Sequence, residues 1–546
     1  MTTSGTAAPS PGATAELPAI GAASAWAPLR RPMFRALWIA SLASNVGTWM
    51  QSVAAVWLMT SLTPSPIMAA LVQTAASLPL VLLALPAGAI ADMVDRRKLL
   101  LVSQTWMLLS SAALGVLTWY GREDPWLLLG LTFSLGVGAA LTAPAWLAIT
   151  LELVPRAELP AAVSLSSASL NLARAVGPAI GGFVVSLFGV GPAFLLNAAS
   201  FLAVLVALVR WRREPIVRLL PREQVFGAMR SGLRFVRNSP ALKRILQRVG
   251  LYVIFSSALW ALLPVVARHE MHSGASGYGV LLGSLGLGAV VGAVVMPRLR
   301  PRYTSDAVVD VTSLAFAAVA GAVGLLPVFA FACVVLVVCG FCWMVPLSTL
   351  NIETQSVAPA WVRARALAFH LLVLQGGLAL GSALWGWTAD QLGAPRALQI
   401  SAGGLILAVA ASRLIRLRPT SHINLTPSVA WPPKEIVEAA GYDEGPVLVT
   451  VEYEIDPAHE EGFLEAMAIV RRMRRRGGAR RWGVFTDAAR PGVYLESFLV
   501  ESWLDHLRQH ERMTVSDRNV SERARAFHVG AEPPIVRHLI ARLPIG

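Results

Sequence analysis

LALPAGAIADMVDRRK, residues 83–98, joins two apolar stretches through a knot of charge: Asp92, Asp95, Arg96, Arg97 and Lys98. LLLVSQTWMLL follows at once. Each flanking stretch is long enough to cross a bilayer, which takes about 20 mainly apolar residues in a helix. A charged turn between two such spans sits at a membrane surface. The stretch also recurs. A shift of 204 positions carries Leu83 onto Leu287, Gly88 onto Gly292 and Arg96 onto Arg300. With the same shift Gly136 falls on Gly340, Gly177 on Gly381, Gly182 on Gly386 and Gly189 on Gly393. Matches in separate helix pairs with no change of register mark two copies of one multi-span unit. Two related six-span halves are the plan of a transporter that rocks around a central site. The acidic part of the turn is not duplicated, since Asp92 meets Met296 and Arg97 meets Pro301.

Composition agrees. With 55% hydrophobic and 14% charged residues the chain is too apolar for a soluble protein, in which about a quarter of residues are charged. Its 44 glycines suit helices that approach closely in lipid. The net charge of +14 is placed for a membrane rather than for nucleic acid. Among the loops between spans, DMVDRRK, VPRAELP, the stretch 210–244, RLRPRY and APAWVRAR hold most of the Arg and Lys, while TSLTPSP, GREDP, LFGVGP, HEMHSG and LGAPR are poor in them. Positive loops face the cytoplasm, which puts both ends of the membrane part there. Cys333, Cys339 and Cys342 lie in one apolar run without polar neighbours and read as packing residues.

The span rule gives helices near 35–60, 67–91, 99–120, 126–150, 161–187, 192–210, 245–268, 276–297, 307–326, 328–352, 364–389 and 396–416. The predicted organisation is a disordered cytoplasmic tail (1–30), a six-helix bundle (31–210), a linker partly in amphipathic helix on the membrane (211–244), a second bundle (245–417), a Pro-rich linker (418–445) and a cytoplasmic α+β domain (446–546). No cleavable signal is visible in the first thirty residues. In the last domain Val447, Val449, Val451 and Tyr453 alternate as in a strand, a helical pattern carries Phe463, Met467 and Val470, and WGVFTD, VYLESFLV and PIVRHLIARL read as strands. Strand–helix–strand–strand–helix–strand is the ferredoxin-like order.

GAIADMVDRRK resembles the loop signature of the major facilitator superfamily, fitting at Gly88, Asp92, Arg96, Arg97 and Lys98 and departing at Met93 and Asp95. The resemblance implies a gating latch, with Asp92 capping a helix or pairing with a cation. RAVGPAIGG, with Gly177, Pro178, Gly181 and Gly182, resembles the G-P-x-x-G-G signature of the drug–proton antiporter branch. SNVGTWMQSVAAVWLM, the stretch 154–182 and the α+β tail together look like the transmembrane secretion effector branch. That implies proton-coupled efflux of a small organic molecule such as a siderophore, antibiotic or drug, with no cofactor. No G-x-x-x-x-G-K-[ST] loop is present, which argues against an ATP-driven pump.

Several residues are candidates to line the path. Arg174 lies mid-span, where a charge costs on the order of 2.5–3.5 kcal/mol unless it faces protein or water; it shares a helical stripe with Asn171. Ser41, Asn45, Thr48 and Ser52 form a polar stripe on the first span, expected to line the cavity. For coupling, the signature Arg of the fourth span is replaced by Thr132, and acidic residues reduce to Glu152, Glu353 and Asp390, all near span ends. Glu152, with His370 and Gln375 of the eleventh span, completes the candidate set. The tail resembles small antibiotic-biosynthesis monooxygenase domains, which leaves three roles for it: enzyme, regulator or dimerisation module. His506 and His510 have the i, i+4 spacing of a metal face but lack a third ligand, so no metal is expected. The basic run Arg471–Arg481 reads as contact with anionic lipid.

Overall fold

The computed structural model describes residues 26–155, 158–211, 225–299, 302–417, 424–426, 428, 441 and 444–542. Most of the predicted tail, residues 212–224 and most of the linker 418–445 lie outside the described residues, as do the side chains of Gly88, Asp92 and Glu152.

The first half comprises α1 (Pro32–Leu62), α2 (Pro66–Met93), α3 (Arg96–Trp119), α4 (Pro125–Leu153), α5 (Leu159–Phe188) and α6 (Val190–Arg210). After α7 (Val225–Asn238) come α8 (Pro240–Val265), α9 (Ala275–Leu299), α10 (Ser305–Leu325), α11 (Phe329–Val357), α12 (Arg363–Leu392) and α13 (Ala394–Ser412). Proline opens α1, α2, α4 and α8, at the position where a missing N–H costs nothing. Side chains of Asp95, Asp124, Ser239 and Thr304 cap α3, α4, α8 and α10. Among the described residues eleven helices are long and apolar enough to span a membrane. The twelfth is α1, whose polar stripe dilutes its hydropathy; it is 31 residues long and packs along α5 and α6.

The repeated glycines do the same work in both halves. Gly177 brings α5 onto α1, where a Cβ would lie 2.6 Å from that of Trp49, and Gly381 brings α12 onto Ile254 and Ser257 of α8. Gly136 packs α4 against Pro79 and Ala76 of α2, and Gly340 packs α11 against Leu285 of α9. Gly189 and Gly393 end α5 and α12 at φ +84° and +86°, a conformation that costs glycine little.

The C-terminal unit runs β1 (Val447–Glu454), α14 (Glu460–Gly477), β2 (Arg481–Thr486), β3 (Val493–Val500), α15 (Trp503–Arg512), α16 (Val515–Arg525) and β4 (Ile535–Ile540). The sheet is antiparallel in the order β2-β3-β1-β4, which is the ferredoxin-like arrangement. Two helices stand between β3 and β4, the second started by a capping box of Thr514 and Asp517. Val451 and Tyr453 of β1 bury against Phe463, Met467 and Val470 of α14. The alternation read in the sequence is therefore the inward face of the sheet.

Candidate functional site

A cavity of about 790 Å³ lies between the two halves. The N-terminal half supplies Trp49 of α1, Gln73 of α2 and Arg174 of α5; the C-terminal half supplies most of the wall, from α8, α11 and α12. The Arg174 guanidinium stands 5.6 Å from the centroid of the Trp49 ring, a cation–π geometry worth about 0.5–2 kcal/mol. Trp49 lies 6.2 Å from Trp260, which lies 5.4 Å from Trp343, so the three rings form one aromatic wall. Gln73, Asn351 and Gln375 add amides, and no Asp or Glu is among the described lining residues. His370 contacts Thr354 Oγ1 through Nδ1 at 3.0 Å. The threonine hydroxyl already donates to the Leu350 carbonyl at 2.9 Å; having one proton to give, it accepts from the imidazole, which sets the Nδ1–H tautomer.

One end of the cavity is closed by contact between the halves. Gly182 of α5 meets Gly279 of α9, where a Cβ would lie 2.8 Å from the Gly279 Cα and 2.6 Å from the Ala275 carbonyl oxygen. The repeat-related Gly386 of α12 meets Ala70 and Ile67 of α2. Ser65 Oγ donates to Asp390 at 2.7 Å, Thr74 to the Ala379 carbonyl at 2.9 Å, and Arg268 to Ser61 at 2.6 Å. Among the described residues, the side-chain hydrogen bonds between the six-helix halves lie toward this end, away from the basic loops. The lining of α11 and α12 extends from mid-helix toward the basic-loop end.

Arg174, His370 and Gln375 thus come together in the cavity. Ser41, Asn45, Thr48 and Ser52 of the α1 stripe are not among the residues of that wall: Thr48 and Ser52, both exposed, donate to the carbonyls of Ser44 and Thr48, and Asn45 contacts Ser41. Asn171 is half-buried outside the lining as well. Gly177 and Gly181 serve the α5–α1 contact within one half, Gly182 serves the contact between halves, and the carbonyl of Pro178 packs on Gly279.

In the loop of residues 88–98, the cap on α3 is Asp95, whose carboxylate accepts from Lys98 N at 3.0 Å; the side chain of Asp92 lies outside the described residues. Arg97 donates to the carbonyls of Leu208 and Val209 at 2.9 and 2.7 Å, tying the loop to the negative end of α6. Arg96 follows in the first turn of α3.

Acidic residues in the spans are not confined to the predicted three. Asp306 and Asp310 of α10 both pair with Arg248 of α8, which also contacts Ser412 of α13. Arg248 and Asp310 each fell inside a predicted span, and a charge there demands a partner, so this signal was present. Glu353 accepts from Ser305. Cys339 and Cys342 are free and buried.

In the C-terminal unit three arginines of the basic run pair with carboxylates of the same unit, while Arg471, Arg472 and Arg481 are exposed. Arg474 pairs with the buried Glu496, Arg476 with Asp517 and Arg480 with Glu501. His506 is buried against Trp503, His510 and His538 rather than solvated. Burial first, then the neighbouring His510 and His538 and Arg474, pushes its pKa down to about 3, which keeps the ring neutral. Among the described residues no group of three His, Cys, Asp or Glu side chains is placed to hold a metal. This unit docks beneath the membrane part on an edge-to-face pair, Phe235 of α7 and Trp361 of the α11–α12 loop, with Arg476 and Arg512 stacked over the two rings.

Two six-helix halves around a central cavity, closed at one end, define a multi-pass membrane transporter of the major facilitator fold. The model of the transmembrane secretion effector family matches residues 23–544, and the chain belongs to that family. It is 29% identical to the multidrug efflux pump Tap of Mycolicibacterium fortuitum, over 69% of this chain and 95% of that one. It is 26% identical to the enterobactin exporter EntS of Salmonella typhimurium, over 73% and 95%. Among solved structures it resembles a bacterial homologue of the human lysosomal transporter Spinster in an inward-facing, unoccupied conformation. The TM-score is 0.59 at 14% identity, over 71% of this chain and 97% of that one.

Proposed function

We propose that the protein exports a small acidic, ring-bearing organic molecule by alternating access, and that the conformation described is inward-open. The observation that carries this reading is the charge of the cavity: Arg174 held over Trp49, an aromatic wall, and no carboxylate among the described lining residues. A buried cation in a mostly apolar pocket attracts an anion and repels a cationic drug. The relatives named for efflux and export support the direction. Basic loops at the open end support a cytoplasmic opening and cytoplasmic termini, in the inner membrane of a bacterium. The test is uptake into everted vesicles with acidic aromatic siderophores, neutral antibiotics and cationic dyes. Acidic substrates should be taken up, and Arg174→Gln should cut that uptake about tenfold or more while leaving the protein in the membrane. Uptake of cationic dyes alone would sink the reading.

Drive by the proton gradient belongs to the same proposal, with His370 and Glu152 as the groups to exchange first; vesicles without a pH gradient should then fail to accumulate substrate. The loop Gly88–Lys98 acts as the gate. Asp92→Asn should impair transport with membrane insertion intact, and unchanged export would remove the latch.

For the C-terminal unit we propose an accessory role through self-association rather than catalysis. One face of its sheet carries Phe485, Leu499, Ile535 and Leu539 and is left without a helix over it, with Phe485 58% exposed. A second copy of the same face would cover it. Leu499→Lys should then reduce the oligomer to a monomer in detergent; an unchanged mass would exclude this interface.

A further inference from the structure

Where α7 meets the C-terminal unit there is a second cavity of about 790 Å³. Arg230, Arg234 and Arg237 enter it from α7, at i, i+4 and i+7 on one helical face; Arg475, Arg480 and Arg481 enter from the opposite wall. Glu501 is the one carboxylate among the described lining residues, and Arg230 and Arg480 already hold it at 3.2 and 2.7 Å. Among the described residues the ring of cations is therefore far from neutralised. Nε of Arg234 and Nε of Arg475 are buried without a hydrogen-bond partner among the described residues, a condition that costs free energy until an acceptor arrives. Burial pulls the Arg234 guanidinium below its ordinary range; Glu501 and Asp505 oppose the shift, while Arg230 and Arg480 add to it.

The depth of the cleft narrows the occupant. Asn238 ends α7, and Ser239 caps α8, which enters the membrane directly. The cleft therefore lies at the boundary between membrane and water, where phosphates are concentrated. Guanidinium groups match phosphate oxygens with paired donors.

We propose that this cleft binds a multiply charged phosphate group, which clamps the C-terminal unit to the linker between the two halves. The phosphate has two sources, a lipid headgroup or a soluble polyphosphate, and the experiment separates them. The full-length protein is placed in phosphatidylcholine nanodiscs, with or without phosphatidylglycerol and cardiolipin. Bound lipid is read by native mass spectrometry, and pyrophosphate binding to the neutral discs is titrated at constant ionic strength. Retention of anionic lipid alone assigns the headgroup; saturable pyrophosphate binding assigns a soluble phosphate. Arg234→Gln with Arg475→Gln should weaken whichever is bound about tenfold or more. Arg471→Gln with Arg472→Gln removes the same charge from exposed positions of α14 outside the cleft and should change binding less than about twofold. Should the first pair fail to fold, Arg481→Gln at an exposed position gives the same comparison. Equal losses from the cleft and surface pairs, or no binding from either source by the unaltered chain, would overturn the site.

Discussion

The same three helices of each repeat are tied together by different chemistry in the two halves. In the N-terminal half, α1, α3 and α6 are joined by Gln51, which accepts from Ser111 and Asn197, while Ser111 also contacts the Phe194 carbonyl. In the C-terminal half, α8, α10 and α13 are joined by Arg248, Asp306, Asp310 and Ser412. One network is neutral and the other ionic. Depth accounts for the choice. At 1.5 Å per residue, Arg248 lies about 12 Å along α8 from its basic-loop end and Gln51 about 28 Å along α1 from its own. Near the interface the carboxylates keep contact with the surroundings, Asp306 at 26% and Asp310 at 21% side-chain exposure. The deeper site, with Ser111 fully buried and Asn197 at 1%, excludes ions, because a charge deep in the bilayer is costly. What the repeat preserves is the junction of three helices; what it leaves free is the chemistry of the bond.

The sharpest way to break that comparison is Arg248→Leu. It leaves two carboxylates facing each other and should cost about 3–5 kcal/mol of stability, as for other buried pairs stripped of one partner. Adding Asp306→Asn and Asp310→Asn should recover most of the loss. Unfolding in detergent measures both. If Arg248→Leu proved no more costly than Gln51→Leu, the ionic network would be doing nothing the neutral one does not.

Next in size is a test of where the halves behave alike. Gly182→Leu drives a side chain into the Ala275 and Gly279 backbone, and Gly386→Leu drives one into the Ala70 Cβ and the Ile67 Cα, neither of which can swing aside. Both should open the sealed end and depress transport to a similar degree. Spin labels at the exposed Tyr120 and Leu392 should move apart; unchanged distances would show that the glycines pack without sealing.

These contrasts mark how far the sequence could be read. The turn at Val94 and Asp95, the glycine register and the strands were legible because each rests on local chemistry: a charge that cannot enter lipid, a backbone that tolerates no Cβ, a period of two. The cavity was legible only in part. Arg174 declares itself as a charge in a span, but Trp343 and Asn351 sit in an apolar run whose pattern looks the same whether a residue faces lipid, protein or a cavity. Position 174 maps by the repeat onto Leu378, and both line the cavity. Symmetry thus located the place but not the chemistry.

Gln51→Leu tests the neutral junction and should cost about 1 kcal/mol, since hydrogen bonds between membrane helices average about 0.6 and rarely exceed about 1.7 kcal/mol. It also leaves the buried Asn197 amide to find another acceptor. A loss as large as that of Arg248→Leu would mean that depth, not charge, sets the strength of these junctions.

The smallest effect belongs to the seal itself, whose two sides differ as the two networks do. Between α5 and α9 it is backbone against backbone, through Gly182 and Gly279; between α2 and α12 it carries the Ser65–Asp390 hydrogen bond as well. A contact of close-packed backbones is all or nothing, while a single bond at the partly exposed end of a helix is worth about 1 kcal/mol. Ser65→Ala should therefore leave the fold and insertion unchanged and shift the balance toward the outward-open state by about fivefold. In the Tyr120–Leu392 distance distribution this would appear as a new minor population rather than a displaced mean. A displaced mean would place the seal's strength in that one bond, and the glycine contact on the opposite side would then be following it.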